Sequence, residues 1–278
     1  MFGRISVKQR LVFSDKLGTF QVIWAFLQAF TAFGAAINGL NSCPGDGNGD
    51  LSGKGAGIVD NDEDDEIQWK LQGNSRLGAT VKAENIGGRF EFGIDESNVS
   101  SRRIFGTWDF GAARLKVGKD YTPVTVFDSG QAFDGDAGLL NQGNLYGGRN
   151  GQISLAFGGF EVALIDTNSA GLLRNMATGD VDEFLPKIEA KWGMAFDTWN
   201  FQVHGGYQHF EIENGGAANE DVDVDSWVVG GVAGLNLGPF YVKTNISTGQ
   251  NMGNAGWGGN TAAYDGDDDV DDVDTVQG

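Results

Sequence analysis

The sequence predicts an all-β chain, folded as a transmembrane antiparallel up-and-down barrel. Three observations predict it. Apolar and polar residues alternate with a period of two along successive segments, which is the strand period. The clearest segment, residues 67–84, outruns both the ~5–6 residues of a soluble strand and the ~9–11 of a membrane-spanning one. The connections alternate between short turns and long loops, a sorting by side that spanning barrels have and soluble sandwiches do not need.

The elements follow in order. In residues 67–84 the odd face carries Ile67, Trp69, Leu71, Leu77, Ala79 and Val81, and the even face Gln68, Lys70, Arg76, Thr80 and Lys82. A tight turn is predicted over residues 85–88. Phe90, Phe92 and Ile94 then alternate with Arg89, Glu91 and Asp95. Residues 103–110 and 114–117 form the next pair, with Leu115 and Val117 opposite Arg114 and Lys116. Ile153, Leu155 and Phe157 lead through Gly158 and Gly159 to Phe160, Val162 and Leu164. Ile188, Ala190 and Trp192 oppose Lys187, Glu189 and Lys191, and a turn at 196–198 leads to Trp199, Phe201 and Val203. The last pair is 227–237 and 240–246, joined at Gly238 and Pro239. Long loops are expected at 38–65, 96–101, 121–148, 167–183, 213–225 and 249–278.

Two readings of residues 1–40 stand. In the preferred one, Ile5, Val7, Leu11 and Phe13 form one strand and Phe20, Val22, Trp24 and Phe26 another, with a turn at Asp15 and Lys16. In the other, the basic start and the uncharged run over 17–44 form a signal or anchor segment.

Composition narrows the function. The chain has 38 acidic and 19 basic residues, a net charge of −19, which excludes nucleic acid as a partner. Much of the acid sits in long loops, at residues 60–66 and 265–274, while the strand faces carry many of the cations. The 45 glycines, 4 prolines, 7 tryptophans and 19 phenylalanines suit strands and turns with an aromatic-rich apolar face. One cysteine, Cys43, allows no internal disulfide. His204 and His209, five apart, point to opposite faces of a strand and cannot share a metal there.

No catalytic motif is present, neither a nucleophile elbow nor a phosphate loop, and the chain is not expected to be an enzyme. No cofactor is expected. Asp46, Asn48 and Asp50 have the spacing that opens a calcium loop, but Leu51 and Gly57 stand where the loop needs Gly and Glu. A solvated acidic loop is the simpler reading, with loose surface calcium or magnesium binding as the alternative.

The segment Gly118-Lys119-Asp120-Tyr121-Thr122-Pro123, the long loop after it, Arg149-Asn150 and the Phe157-Gly158-Gly159-Phe160 turn carry a resemblance. They resemble the general bacterial porins of Gram-negative outer membranes, closest to the acidic-looped porin-like proteins of sulfate-reducing and related bacteria. The likeness extends more weakly over residues 67–257. It implies a single barrel domain over 1–278 whose loop 121–148 folds inward and narrows the pore. By matching position, Asp128, Asp134 and Asp136 become loop candidates. Arg76, Arg89, Arg114 and Lys116 become wall candidates by alternation, and opposed charges would set a transverse field for hydrated solutes. It also implies passive diffusion of small hydrophilic solutes and ions, an integral outer-membrane location beside lipid and lipopolysaccharide, and a homotrimer. About 12 strands are visible where such porins have about 16, so a fragment is expected. A structural or adhesive barrel with a blocked lumen and acidic, cation-binding loops is the alternative.

Overall fold

The computed structural model describes residues 9–15, 18–25, 75–94, 98–127, 143, 145–166, 180–213, 221–264 and 270–278; the first two segments and residues 180 and 264 are described as backbone only. The strands are β1 (Gln9–Asp15), β2 (Gly18–Ala25), β3 (Arg76–Ala83), β4 (Ile86–Ile94), β5 (Val99–Asp109) and β6 (Arg114–Tyr121). They continue as β7 (Arg149–Phe157), β8 (Phe160–Ile165), β9 (Asp180–Asp182), β10 (Lys187–Ala195) and β11 (Trp199–Glu213). The chain closes with β12 (Val222–Leu237), β13 (Phe240–Gln250), β14 (Ala263–Tyr264), β15 (Val270–Asp271) and β16 (Asp274–Gln277). Each strand from β1 to β8 pairs with the next. β8 pairs with β10, and the series runs on through β13 to β16, all antiparallel; β9 pairs beside β11, and β14 with β15. No pairing joins β1 to β16 among the described residues. Among them too, no helix is long and apolar enough to cross a membrane, which says nothing about strands.

The all-β, up-and-down meander is thus as predicted, with four corrections to its elements. The turn after β3 is only Glu84 and Asn85, because Glu84 itself takes positive φ (50°) and closes a two-residue hairpin. Gly87 and Gly88, assigned to that turn from the sequence, lie in β4 instead. The 96–101 loop shrinks, since β5 begins at Val99. The 213–225 loop shrinks as well, since β12 begins at Val222. The stretch 249–278 is not one acidic loop: β13 runs to Gln250, a folded turn occupies 251–259, and β16 adds to the sheet edge.

The sheet has an inverted distribution of polarity. One face exposes Leu77, Phe90, Ile104, Trp108, Val117, Ile153, Val162, Ile188, Val203 and Ile246. The other buries Glu91, Asp120, Gln152, Ser154, Lys187, Glu189, His204, Gln208, Asn245 and Ser247. A soluble sheet buries its apolar face and wets its polar one. Here the hydrophobic effect in water alone would favour the opposite arrangement.

At the long-loop end of β11 and β12 the polarity reverts to the soluble kind. Phe210, Ile212, Val222, Val224 and Ala262 form a small buried core, with Val181 and Val270 packed against it. The opposite face there carries His209, Glu211, Asp223 and Asp225. At the short-turn end the apolar face carries a chain of aromatic rings across β7, β8, β10 and β11. Phe157 to Phe160 is 5.7 Å, Phe160 to Trp192 5.7 Å and Trp192 to Phe201 5.2 Å. Phe201 to Trp199 is 5.7 Å, and Trp199 to Phe196 closes the chain at 4.3 Å.

Candidate functional site

The polar face of β4 to β10 carries a ladder of charges. Each rung arises because every second residue of an antiparallel pair points the same way. Arg89 pairs with Glu91, and Arg102 Nε reaches Glu91 Oε1 at 3.1 Å. Arg103 Nε lies 2.6 Å from Asp120 Oδ1, and Lys116 Nζ lies 3.1 Å from Asp120 Oδ2. Lys116 also reaches Glu161 Oε1 at 2.9 Å, and Lys191 reaches Glu161 Oε2 at 2.9 Å. Arg76 faces Glu91 from β3. Six cations (Arg76, Arg89, Arg102, Arg103, Lys116 and Lys191) thus surround three carboxylates, and the wall is net basic within an acidic chain.

Arg102 and Arg103 are neighbours in sequence, yet both reach this face. Strand alternation forbids that. A β-bulge permits it: Glu91 pairs with Arg103 and Phe92 with Ser101, so Arg102 is the extra residue. Reading by strict alternation misses this pair.

Next to the ladder, the ends of the long β6–β7 connection fold over the polar face. Tyr121 lies between two guanidiniums, Arg103 at 5.3 Å and Arg149 at 5.5 Å from its ring centre. Phe127 and Tyr146 meet its ring edges at 5.1 and 6.4 Å. Lys243 of β13 donates to the Phe127 carbonyl from across the sheet.

A second group surrounds Glu189, which is wholly buried. Its Oε1 accepts from Trp257 Nε1 at 2.8 Å and its Oε2 accepts from the Val124 backbone N–H at 3.1 Å. Lys187 Nζ lies 3.8 Å from Glu189 and donates to Ala255 O at 3.0 Å. Val124, Leu145, Val228, Met252, Ala255 and Trp257 close over the group as one apolar cluster. The sequence marks Lys187 and Glu189 as polar-face residues. It offers no signal for Trp257, whose glycine-rich surroundings read as long loop.

Of the wall candidates, Arg76, Arg89 and Lys116 lie in or beside the ladder. Arg114 shares their face but sits at the short-turn rim, exposed and paired with Asp109 at 3.0 Å. The loop candidates Asp128, Asp134 and Asp136 lie outside the described residues, as do Asp46, Asn48 and Asp50. Among the described residues no cluster of three or more His, Cys, Asp or Glu could hold a metal. His204 and His209 do point to opposite faces, His204 buried on the polar one and His209 beside Asp225 on the other.

No family model matches this chain, and no curated protein matches it. Among solved structures, the outer membrane channel DcaP of Acinetobacter baumannii is similar, at 13% sequence identity and a TM-score of 0.49. The likeness covers 69% of this chain and 55% of the solved one, so the chain spans about half the length of the protein it matches.

Proposed function

We propose that the chain forms the wall of a water-filled channel in the outer membrane of a Gram-negative bacterium, passing small hydrophilic solutes and ions by diffusion. The inverted polarity of the sheet carries this reading. An exposed apolar face opposite a buried, charged face is stable where the outer solvent is lipid and the inner one is water.

The dimensions agree. On β12 the outward residues from Trp227 to Leu237 carry no charge, while Asp223 and Asp225 lie just beyond. Ten residue steps at ~3.4 Å span about 34 Å along the strand. Tilted by ~45°, that is about 24 Å of thickness, against the ~25 Å apolar band of such barrels. Tyr207 and Trp227, cross-strand partners, sit at one edge of the band and the Phe157 to Phe196 ring chain at the other. Amphipathic aromatic rings favour these interfaces. The acidic rim above Tyr207 would stand at headgroup level beside lipopolysaccharide, and a homotrimer is the proposed assembly.

The test is single-channel conductance of the protein in a planar bilayer under a salt gradient. Stable steps with a measurable reversal potential are expected. A protein that inserts with native β content and never conducts would instead support a second reading, a structural barrel with a closed lumen. The apolar cluster of Val124, Met252 and Trp257 against the polar face is the observation that favours it.

A further inference from the structure

We infer that Glu189 clamps a second inward-folded segment, residues 251–257, to the ends of the β6–β7 connection, and that this clamp sets the aperture of the channel. The inference rests on the channel reading above and adds a second constricting element to the single loop that reading expects.

The wall is shaped to receive the segment. Glu189, Gly206, Val228 and Gly249 stand in one cross-strand row from β10 to β13. The two glycines leave notches in it. A Cβ on Gly206 would lie 2.5 Å from Trp257 Cζ2; one on Gly249 would clash first with the Trp227 carbonyl oxygen of β12 and would also lie 2.9 Å from Met252 Cγ. Glycine in a strand interior weakens the strand and marks close approach by another group. Here Trp257 and Met252 occupy the space, with Val228 between them in the same apolar cluster.

Glu189 joins the two segments through separate oxygens, one taken by Trp257 and the other by Val124. A carboxylate is costly to bury unless hydrogen-bonded, so the site holds best when both segments are docked. Lys187 and Gln208 secure the same segment through Ala255 O and Asn254 O, the latter at 3.4 Å. The residues that follow it brace the segment. Gly253 N–H donates to Asn260 O at 2.9 Å and Ala262 N–H to Asn254 Oδ1 at 2.8 Å. Asn251 ties it to β12 and to the connection between β15 and β16, donating to Asp225 O at 2.9 Å and Asp272 Oδ1 at 2.6 Å. Loss of the Trp257 contact therefore loosens the far end of the segment while Asn251 keeps its near end anchored.

The test compares wild type, Trp257→Ala, Gly206→Ala and Glu189→Gln by planar-bilayer conductance, with poly(ethylene glycol) of graded size as the sizing probe. Folding is checked by β circular dichroism and by gel mobility before and after heating. Gly206→Ala keeps Glu189 and Trp257 but fills the notch, so it decides the matter even if Trp257→Ala misfolds. Trp257→Ala and Gly206→Ala are expected to raise conductance roughly twofold or more and to admit larger polymer, with Glu189→Gln moving the same way. A silent wild type with conducting variants also supports the clamp. A conducting wild type whose folded variants match it in conductance and polymer cut-off overturns the clamp and leaves the channel reading standing. Folded, inserted protein that is silent in all four forms overturns both.

Discussion

Replacing Ala233 by arginine tests the membrane band directly. Ala233 lies on the exposed apolar face of β12, six residues from Trp227. At ~3.4 Å per residue and ~45° of tilt, it sits about 14 Å below the Trp227 edge of a band about 24 Å thick, close to the midplane. An arginine there costs about 2–4 kcal/mol, falling to about 0–1 kcal/mol near the interface. Asp225→Arg, about 5 Å beyond the Trp227 edge by the same arithmetic, gives up only exposed contacts with Tyr207 and His209, worth about 0–1 kcal/mol, and should therefore be the milder change. The assay is reversible urea unfolding in lipid vesicles, followed by tryptophan fluorescence. The expected result is a fall in unfolding midpoint for Ala233→Arg and a smaller change for Asp225→Arg. If the apolar face were wet, a surface arginine would be within ~0.5 kcal/mol of neutral. Equal midpoints for the two variants would therefore refute the lipid-facing band and the channel reading with it.

Three further outcomes are expected. Arg102→Ala with Arg103→Ala removes two cations from the ladder while leaving Glu91 and Asp120, so the reversal potential under a salt gradient should move toward cation selectivity; no movement would place the ladder off the ion path. Trp199→Ala breaks stacking with Phe196 at 4.3 Å and Phe201 at 5.7 Å, and at roughly 0.5–1.5 kcal/mol per aromatic pair beyond burial it should lower stability by about 1–3 kcal/mol in the vesicle unfolding assay. Gly230→Ala puts a methyl 2.6 Å from His204 Nε2 and 2.8 Å from Ser247 Cβ, and overpacking of this kind costs about 1–3 kcal/mol, read as a lower unfolding midpoint with unchanged β content.

The alternation of Leu115 and Val117 with Lys116 is a property of the chain itself. In a strand it forces the two kinds of residue onto opposite faces, so it specifies strand, register and a sheet with one apolar and one polar side. That is why the meander, the short turns and the polar-face placement of Arg76, Arg89 and Lys116 could be derived from residue order alone. Three features could not. The bulge at Arg102 is decided by pairing with β4, since one strand's residue order carries no record of which residue its partner skips. Where β12 begins is decided by β11, whose Phe210 and Ile212 bury Val222 and Val224 and extend the strand into what read as loop. The inward turn of residues 251–257 depends on Gly206 and Glu189, far away in the chain, which supply a notch and a buried acceptor for Trp257. Local periodicity determined the sheet and its faces; long-range complementarity, which no local pattern encodes, decided what folds against the polar face.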